Sequence, residues 1–345
     1  MDISSMTLGE LEQFVLSQNE KKFRAKQIFD WIHNKHVRSF SEMTNLSAAF
    51  RELLEQEHSI GQAEIEKKYE SSLNDVCKYL LRVGKDTIIE SVLMKYSFGQ
   101  SICVSSQAGC AMGCAFCVSG KDGFFRNLSA YEILAQVYRV QEDIGERISN
   151  IVIMGSGEPL HNFDNVVKFI EIVSHKLGIN VGKRHITLST CGIVPKMYEL
   201  ADLRLGVNLA LSLHASNDDV RKKIMPVAES YSLAETLEAC DYYAKTTGRR
   251  VTYEYALVKG VNDTAEYARE LGIKLKGRLA HVNLIPVNEG AGSGFKSPER
   301  KTIQVFYDTL ESMGVNVSVR RELGSDIAAA CGQLKSEYTK QRGDI

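Results

Sequence analysis

From about residue 100 onward, short apolar segments alternate with helical segments, and this alternation restricts the chain to few folds. The apolar segments predict strands over 102–105, 150–154, 185–189, 207–211, 251–256 and 281–285. Two of the helical segments begin with a capping box, Ser129 with Glu132 and Ser232 with Glu235. Repeated strand–helix units favour parallel strands with helices packed on their faces. The sequence therefore predicts an α/β fold whose parallel strands form a full or partial barrel.

The residues before this repeat follow other patterns. Apolar residues at helical spacing predict a small helical accessory domain over residues 1–75, and alternating apolar residues predict a strand-pair connector over 76–100. The barrel then occupies residues 101–322, and a C-terminal segment covers 323–345. The chain is thus expected to have one large domain with smaller units before and after it.

Overall composition excludes some classes of protein. A net charge of -1 is not that of a protein that coats nucleic acid, so any RNA binding needs a local basic patch. The candidate patch has six cations, Lys21, Lys22, Arg24, Lys26, Lys35 and Arg38, with aromatic residues between them. A solvated helix face explains these cations equally well.

The sequence also bears on where the protein works. We find neither an apolar run of the roughly 20 residues that a bilayer span needs nor a secretory signal. We therefore expect no membrane association and a cytoplasmic protein, whose cysteines are reduced, ligated or catalytic.

Three cysteines form the most specific motif. Cys110, Cys114 and Cys117 have C-x3-C-x2-C spacing just after the first predicted strand, and no fourth cysteine is near in sequence. Three thiolates can bind three corners of a four-iron cluster and leave one iron open to a small ligand. Zinc bound by three cysteines and a distant histidine, or chance clustering of buried thiols, are the alternatives.

Several candidate site residues follow the C-terminal ends of the predicted strands, where the active site of a barrel lies. They include Gly157, Glu158, Ser189, Ser212, Leu213, His214 and Asn288. A glycine lets backbone approach a ligand closely, and the Glu158 carboxylate can accept hydrogen bonds from an ammonium group. A bound amino acid would suit this site, although a turn with an exposed acid is the simpler alternative.

At this point the sequence resembles a known family. The cysteine triplet, with Phe116 before its last cysteine, resembles the radical S-adenosylmethionine superfamily. Over nearly its whole length the chain resembles, more specifically, the RlmN/Cfr family of RNA adenosine methyltransferases. The matching blocks are 103–110, 155–160, 188–190, 211–215, 259–263, 282–286 and 326–334. The last block contains Cys331 and distinguishes this family from other radical enzymes.

The resemblance implies a fold and its cofactors. The fold is a partial (β/α)6-type radical SAM barrel with a helical, RNA-binding N-terminal domain. Cys110, Cys114 and Cys117 would hold one [4Fe-4S] cluster, and two S-adenosylmethionine molecules would be used per turnover. The residues implied to line the S-adenosylmethionine site are Gly157, Glu158, Ser189, Ser212, Leu213, His214 and Asn288.

The resemblance also implies catalytic roles. Adenine C2 is not a nucleophile, so methylation would proceed through a methyl group first placed on Cys331, from which a radical removes hydrogen. Glu90 would then accept a proton, and Cys103 would release the RNA by forming a disulfide with Cys331. Without the resemblance, Cys103 is a strand core residue, Glu90 a solvated acid and Cys331 a structural thiol.

The substrates implied are adenosine 2503 of 23S rRNA and adenosine 37 of tRNAs, with a flavodoxin or ferredoxin as electron donor. We expect a monomer. Pro159 favours the branch that methylates C2, and the C8 branch of Cfr is the alternative. Ser156 and Glu289 depart from residues usual in the family, which affects the shape of the ligand site. Two alternative functional classes are a radical enzyme that acts on small molecules or peptides and a non-catalytic, metal-binding RNA module.

Overall fold

A computed structural model describes residues 2–84, 86–121, 123–287, 294–321 and 323–329. The strands are β1 (Ala63–Glu70), β2 (Val76–Val83), β3 (Thr87–Tyr96), β4 (Gly99–Val104), β5 (Gln107–Gly109), β6 (Phe124–Asn127), β7 (Ile148–Ile153), β8 (Ile186–Thr190), β9 (Asn208–Ser212), β10 (Val251–Leu257), β11 (Ala280–Pro286) and β12 (Val317–Val319). The helices are α1 (Leu8–Ser17), α2 (Phe23–His33), α3 (Ala48–Glu57), α4 (Ala130–Ile144), α5 (Phe163–Val173), α6 (Val194–Asp202), α7 (Asp218–Ile224), α8 (Leu233–Thr247), α9 (Ala265–Leu275) and α10 (Arg300–Ser312).

The parallel part of the sheet confirms the predicted α/β fold. All six predicted strands are present, as β4 and β7 to β11, and neighbours in this series pair in parallel. A seventh parallel strand, β12, follows β11. It escaped prediction because it has three residues, one of them Ser318. The predicted capping boxes of α4 and α8 are both formed.

Three antiparallel strands extend this sheet, in the order β1-β2-β3-β4. The prediction of helices throughout residues 1–75 is therefore wrong for Ala63–Glu70, which form β1. This edge strand is rich in charge and mostly exposed, so its alternation of apolar and polar residues is weak. The domain boundaries themselves stay a prediction.

The N-terminal helices pack on the same core as the sheet. Ile28, Phe29 and Leu54 belong to one buried cluster with Leu134 and Tyr138 of α4. Half of the six cations in the predicted basic patch form ion pairs, Lys22 with Glu12, Arg24 with Glu20 and Lys35 with Asp30. None of the helices in the described ranges has the length and apolarity needed to cross a bilayer.

Candidate active site

Hydrogen bonds between two loops determine where the cysteine loop lies. The backbone N–H groups of Ser106 and Gln107, after β4, donate to the Ser156 carbonyl oxygen, after β7, at 2.9 and 3.1 Å. The Gln107 side-chain oxygen in turn accepts from the Glu158 N–H at 2.8 Å. Because β4 and β7 are adjacent parallel strands, these bonds join the base of the cysteine loop to the segment that contains Glu158.

The cysteine loop is closed at its base and fixed at its tip. Strands β5 and β6 pair as an antiparallel ribbon on either side of it, and the Cys110 N–H donates to the Gly123 carbonyl at 3.0 Å. At the tip, the Ala115 N–H donates to the carbonyl of Ile224, the last residue of α7, at 2.9 Å. The loop thus lies against the C-terminal edge of the barrel strands.

A cavity of about 180 Å³ opens at this edge of the sheet. Its lining includes eight of the residues predicted from the sequence, Cys110, Cys114, Cys117, Gly157, Glu158, Ser189, Ser212 and His214. The parallel strands β7 to β11 each contribute residues at or just after their C-terminal ends. The topology therefore gathers residues that are more than 100 positions apart in the chain.

The three thiols form an electrostatically unfavourable set when they are charged. Burial raises the pKa of Cys110 to about 11. Burial, and then repulsion from Cys117 and Cys110, raises the pKa of Cys114 far above its usual range. Within the part of the chain that the structure describes, no three His, Cys, Asp or Glu side chains are arranged to hold a single metal ion. Three thiolates around a cavity fit a cationic iron cluster, which would offset both the burial and the repulsion.

Glu158 is buried beside the cysteines and has a fixed orientation. One carboxylate oxygen accepts from the Leu160 N–H at 2.9 Å and the other from the Cys191 N–H at 2.7 Å. Burial raises the pKa of Glu158, and these hydrogen bonds oppose the shift. A buried carboxylate held in this way is suited to bind a cationic group.

His214 lies at the end of β9 in a left-handed backbone conformation, with φ of 56°. Its Nδ1 accepts from the Ala256 N–H at 2.8 Å, so the ring proton is on Nε2. Burial lowers the pKa of His214 to about 3, so the ring is neutral at physiological pH. The Phe116 ring of the cysteine loop packs edge-on against it, with ring centres 4.7 Å apart. His214 can therefore act as a neutral hydrogen-bond donor.

The remaining predicted residues lie elsewhere. The Leu213 side chain is fully buried in the main core, and its N–H donates to the Glu254 carbonyl. Glu90 and Cys103 lie on β3 and β4, and Cys103 packs with Val92, Met94 and Ala329. Asn288 and Cys331 lie outside the described residues.

The cavity residues that sequence reasoning missed include Cys191, Glu254 and Arg320. Cys191 is a fourth cysteine beside the triplet; it is distant in sequence, but it follows Ser189-Thr190 at the end of β8, which was a usable signal. Burial raises its pKa well above the usual range. Glu254 had no motif to mark it, and its carboxylate accepts from the Asn283 side chain at 2.8 Å.

Comparisons with known proteins give consistent matches. The Radical SAM superfamily description matches residues 104–274, and the Ribosomal RNA large subunit methyltransferase N-terminal domain matches residues 1–60. A "Probable dual-specificity RNA methyltransferase RlmN" of Clostridium perfringens is 55% identical over 99% of both chains. A protein of the same name from Alkaliphilus oremlandii is 52% identical over 98% of both. The crystal structure of a radical SAM methyltransferase from Sphaerobacter thermophilus superposes with a TM-score of 0.90 at 39% identity, covering 96% of this chain and 98% of that one.

Proposed function

Because this chain belongs to the RlmN family of radical SAM methyltransferases, we propose that it methylates RNA at C2 of adenine. The substrates would be adenosine 2503 of 23S rRNA and adenosine 37 of tRNAs. The observation that carries this function is the convergence of Cys110, Cys114, Cys117 and Glu158 on one cavity at the C-terminal edge of the barrel. The relatives do not favour the C8 alternative, since both are named RlmN.

A radical SAM enzyme uses a [4Fe-4S] cluster and S-adenosylmethionine, which together supply a 5'-deoxyadenosyl radical. Cys110, Cys114 and Cys117 would hold the cluster, one thiolate to each of three irons. Glu158 would accept hydrogen bonds from the ammonium group of S-adenosylmethionine, since this residue lines the same cavity. Two molecules of S-adenosylmethionine would be used per turnover.

The other residues would shape the ligand site. Gly157 would let the backbone approach the ligand closely, and Ser189, Ser212 and His214 would donate hydrogen bonds from the ends of β8 and β9. Leu213 and Asn288 remain proposed contacts of the same ligand. None of these groups needs to change its charge near neutral pH, which suits a binding role.

The acceptor chemistry would belong to Glu90, Cys103 and Cys331. Cys331 would accept the methyl group and present it to the adenine ring. Glu90 would take the proton that the RNA–protein adduct loses. The Cys103 thiolate would then attack the Cys331 sulfur and form a disulfide, while the bond from that sulfur to the transferred carbon breaks; the carbon keeps the electron pair and takes up a proton to become the methyl group of the released RNA. The proposal is supported by the cluster that Cys103 forms with Val92, Met94 and Ala329, since Ala329 is two residues before Cys331.

An electron must reach the cluster, and we propose flavodoxin or ferredoxin as its donor. The RNA would present a base from a loop or a splayed-out position, since the adenine edge must reach buried groups. A monomeric state remains our expectation.

The test is an anaerobic assay of the reconstituted protein with reductant, methyl-labelled S-adenosylmethionine and 23S rRNA or tRNA. Mass spectrometry of the digested nucleosides should find 2-methyladenosine. Cys331→Ala should abolish this product while retaining the iron. Cys240→Ala, a change at a buried cysteine of α8, should leave both the product and the iron in place. 8-Methyladenosine would move the protein to the other branch, and methylation by Cys331→Ala would refute the mechanism.

A further inference from the structure

Strand register brings an unassigned lysine to the face that contains Glu90 and Cys103. Opposite residues of antiparallel strands point to the same face, and this face alternates along each strand. Leu80 pairs with Glu90, Lys78 pairs with Val92, and Val92 pairs with Cys103. Lys78, Glu90 and Cys103 therefore share one face of the sheet.

The segment that leads to Cys331 covers this face. Ala329 belongs to one buried cluster with Val92 and Cys103. Asp326 accepts hydrogen bonds from the Ser71 hydroxyl at 2.7 Å and the Ser72 N–H at 2.8 Å. The β1–β2 turn thus anchors the segment a few residues before Cys331. Any group buried beneath it is enclosed between the segment and the strands.

Lys78 is such a group. Its side chain is 4% exposed, and its Nζ lies 4.0 Å from the Glu90 Oε1. The same Nζ donates to the carbonyl oxygen of Ala328 at 3.4 Å and lies 5.1 Å from the centre of the Tyr69 ring. Burying an ammonium group is costly unless it is paired, so a lysine at this position needs both partners.

We propose that Lys78 is a positioning residue, which orients the Glu90 carboxylate and holds the backbone before Cys331 above it. The inference rests on the proposed role of Glu90 as proton acceptor. A cation beside a buried carboxylate favours its charged form, and only the charged form can accept a proton. The bond to Ala328 would couple that acceptor to the position of the methyl-bearing cysteine.

The test compares Lys78→Met, which keeps the length of the side chain without its charge, with Lys78→Arg, which keeps the charge. Lys67→Met is the matched control, because Lys67 also lies over the Tyr69 ring, at 4.6 Å, but is exposed on β1. Reconstituted proteins are assayed for iron content, 5'-deoxyadenosine, methylated adenosine and covalent protein–RNA adduct. Glu90→Gln is assayed in parallel.

We expect Lys78→Met to retain iron and to cleave S-adenosylmethionine within threefold of wild type. Its yield of methylated adenosine should fall at least tenfold, with adduct accumulating as in Glu90→Gln. Lys78→Arg should recover most of the yield, and Lys67→Met should match wild type. The double variant Lys78→Met/Glu90→Gln should be no worse than Glu90→Gln alone, because both changes act through one carboxylate.

The outcomes separate the two assignments. If Lys78→Met is active and Glu90→Gln is inactive, the role of Lys78 alone is overturned. The same holds if Lys78→Met loses product without accumulating adduct and Lys78→Arg does not restore the product. An active Glu90→Gln overturns the role of Glu90 and, with it, that of Lys78. If Lys78→Met does not fold, an arginine variant as inactive as Glu90→Gln but without adduct also overturns the proposal.

A second inference concerns the turn between β3 and β4 and rests on different observations. The rings of Tyr96 and Phe98 stack there with centres 4.8 Å apart and planes at 8°, and Phe98 is 69% exposed. Beside them is a cavity of about 390 Å³, whose lining includes Lys95, Arg320 and Arg321 against Asp75. Arg320 also lines the cavity that contains the three cysteines and Glu158, so the two cavities are adjacent.

We infer that the lip formed by Lys95, Tyr96, Phe98, Arg320 and Arg321 binds the nucleotide next to the target adenosine. An exposed aromatic ring can stack on any base, and clustered cations bind phosphate. The inference rests on RNA being the substrate. Ile273 on α9 is just as exposed, at 71%, and is not among the residues that line this cavity, which makes it a useful control.

Phe98→Ala and Lys95→Gln should each raise KM for the RNA at least fivefold and leave the affinity for S-adenosylmethionine unchanged. Lys95→Gln should also make KM less dependent on salt, because one phosphate contact is lost. Ile273→Ala should change neither quantity. A KM within twofold of wild type in both lip variants overturns the inference, while absence of RNA methylation by the wild type would instead refute the proposed function.

Discussion

Replacing Gly157 with alanine tests whether the backbone at this position shapes the S-adenosylmethionine site. The residue has φ of 107°, and an added Cβ would lie 2.6 Å from the Gln107 Cβ and 2.8 Å from its backbone nitrogen. The backbone conformation costs an alanine about 1–2 kcal/mol. The collision adds about 1–3 kcal/mol, because a backbone nitrogen within the β5 strand cannot move aside.

The segment can relieve this strain of about 2–5 kcal/mol by moving away from Gln107 when no ligand is bound. Binding must then restore the strained arrangement, so the strain reappears as lost affinity. Even about 2 kcal/mol corresponds to a roughly 30-fold weaker Kd. We expect at least this loss for S-adenosylmethionine, with little change in iron content because the cysteine loop has its own anchors.

The assay is equilibrium binding of S-adenosylmethionine to the anaerobically reconstituted protein, together with urea unfolding. Gly206→Ala is the matched control: its φ is 82°, but an added Cβ would meet no atom within 4 Å. It lies in the turn before β9, at the opposite end of the strand from the cavity. It should lower stability by about 1–2 kcal/mol and leave Kd unchanged. A Gly157→Ala protein that binds within threefold of wild type would refute this reasoning.

Three further predictions concern the cavity and the buried histidines. Cys191→Ala should retain the iron and the spectrum of the reduced cluster, but weaken S-adenosylmethionine binding severalfold, since the thiol hydrogen-bonds to Glu158; loss of iron would show that Cys191 is a ligand instead. The Kd for S-adenosylmethionine should show no titration near pH 6.5, because the pKa of His214 is lowered to about 3 by burial; a midpoint there contradicts a neutral ring. Burial likewise lowers the pKa of His33 to about 3. Between pH 6.5 and pH 3 these two histidines therefore take up protons only in the unfolded chain, so the free energy of unfolding decreases as the pH falls from 6.5 towards 3. At pH 5 the loss is about 2 kcal/mol for each histidine, measurable by urea unfolding, and His33→Leu should make the dependence shallower; an unchanged slope would show that His33 does not contribute.

The sequence predicted the parallel strands well because each contains closely spaced apolar residues, such as those of 209–211 in β9, which are fully buried. It failed at β1 and β12, which lie at the two edges of the sheet. Edge strands bury little, so Ala63–Glu70 has the composition of a solvated helix. Short motifs found the loop and strand-end residues, whereas Glu254 and Lys78 became candidates only through strand pairing and packing, which connect residues distant in the chain.

The extension of the sheet explains how one layer can serve two chemical tasks. The parallel strands end at the cavity of the cysteines and Glu158, while β2 and β3 continue the same layer, in which Lys78, Glu90 and the Cys103 of β4 lie on one face. Cys103 of β4 is only a few residues before the cysteine loop in the chain. Since β4 pairs with β3 on one side and β7 on the other, the sheet also fixes the position of Cys103 relative to that loop. A separate domain would need a large interface to keep such a relation. A continuous sheet maintains it through backbone hydrogen bonds, so the chemistry that we propose for Glu90, Cys103 and Cys331 would need no domain movement.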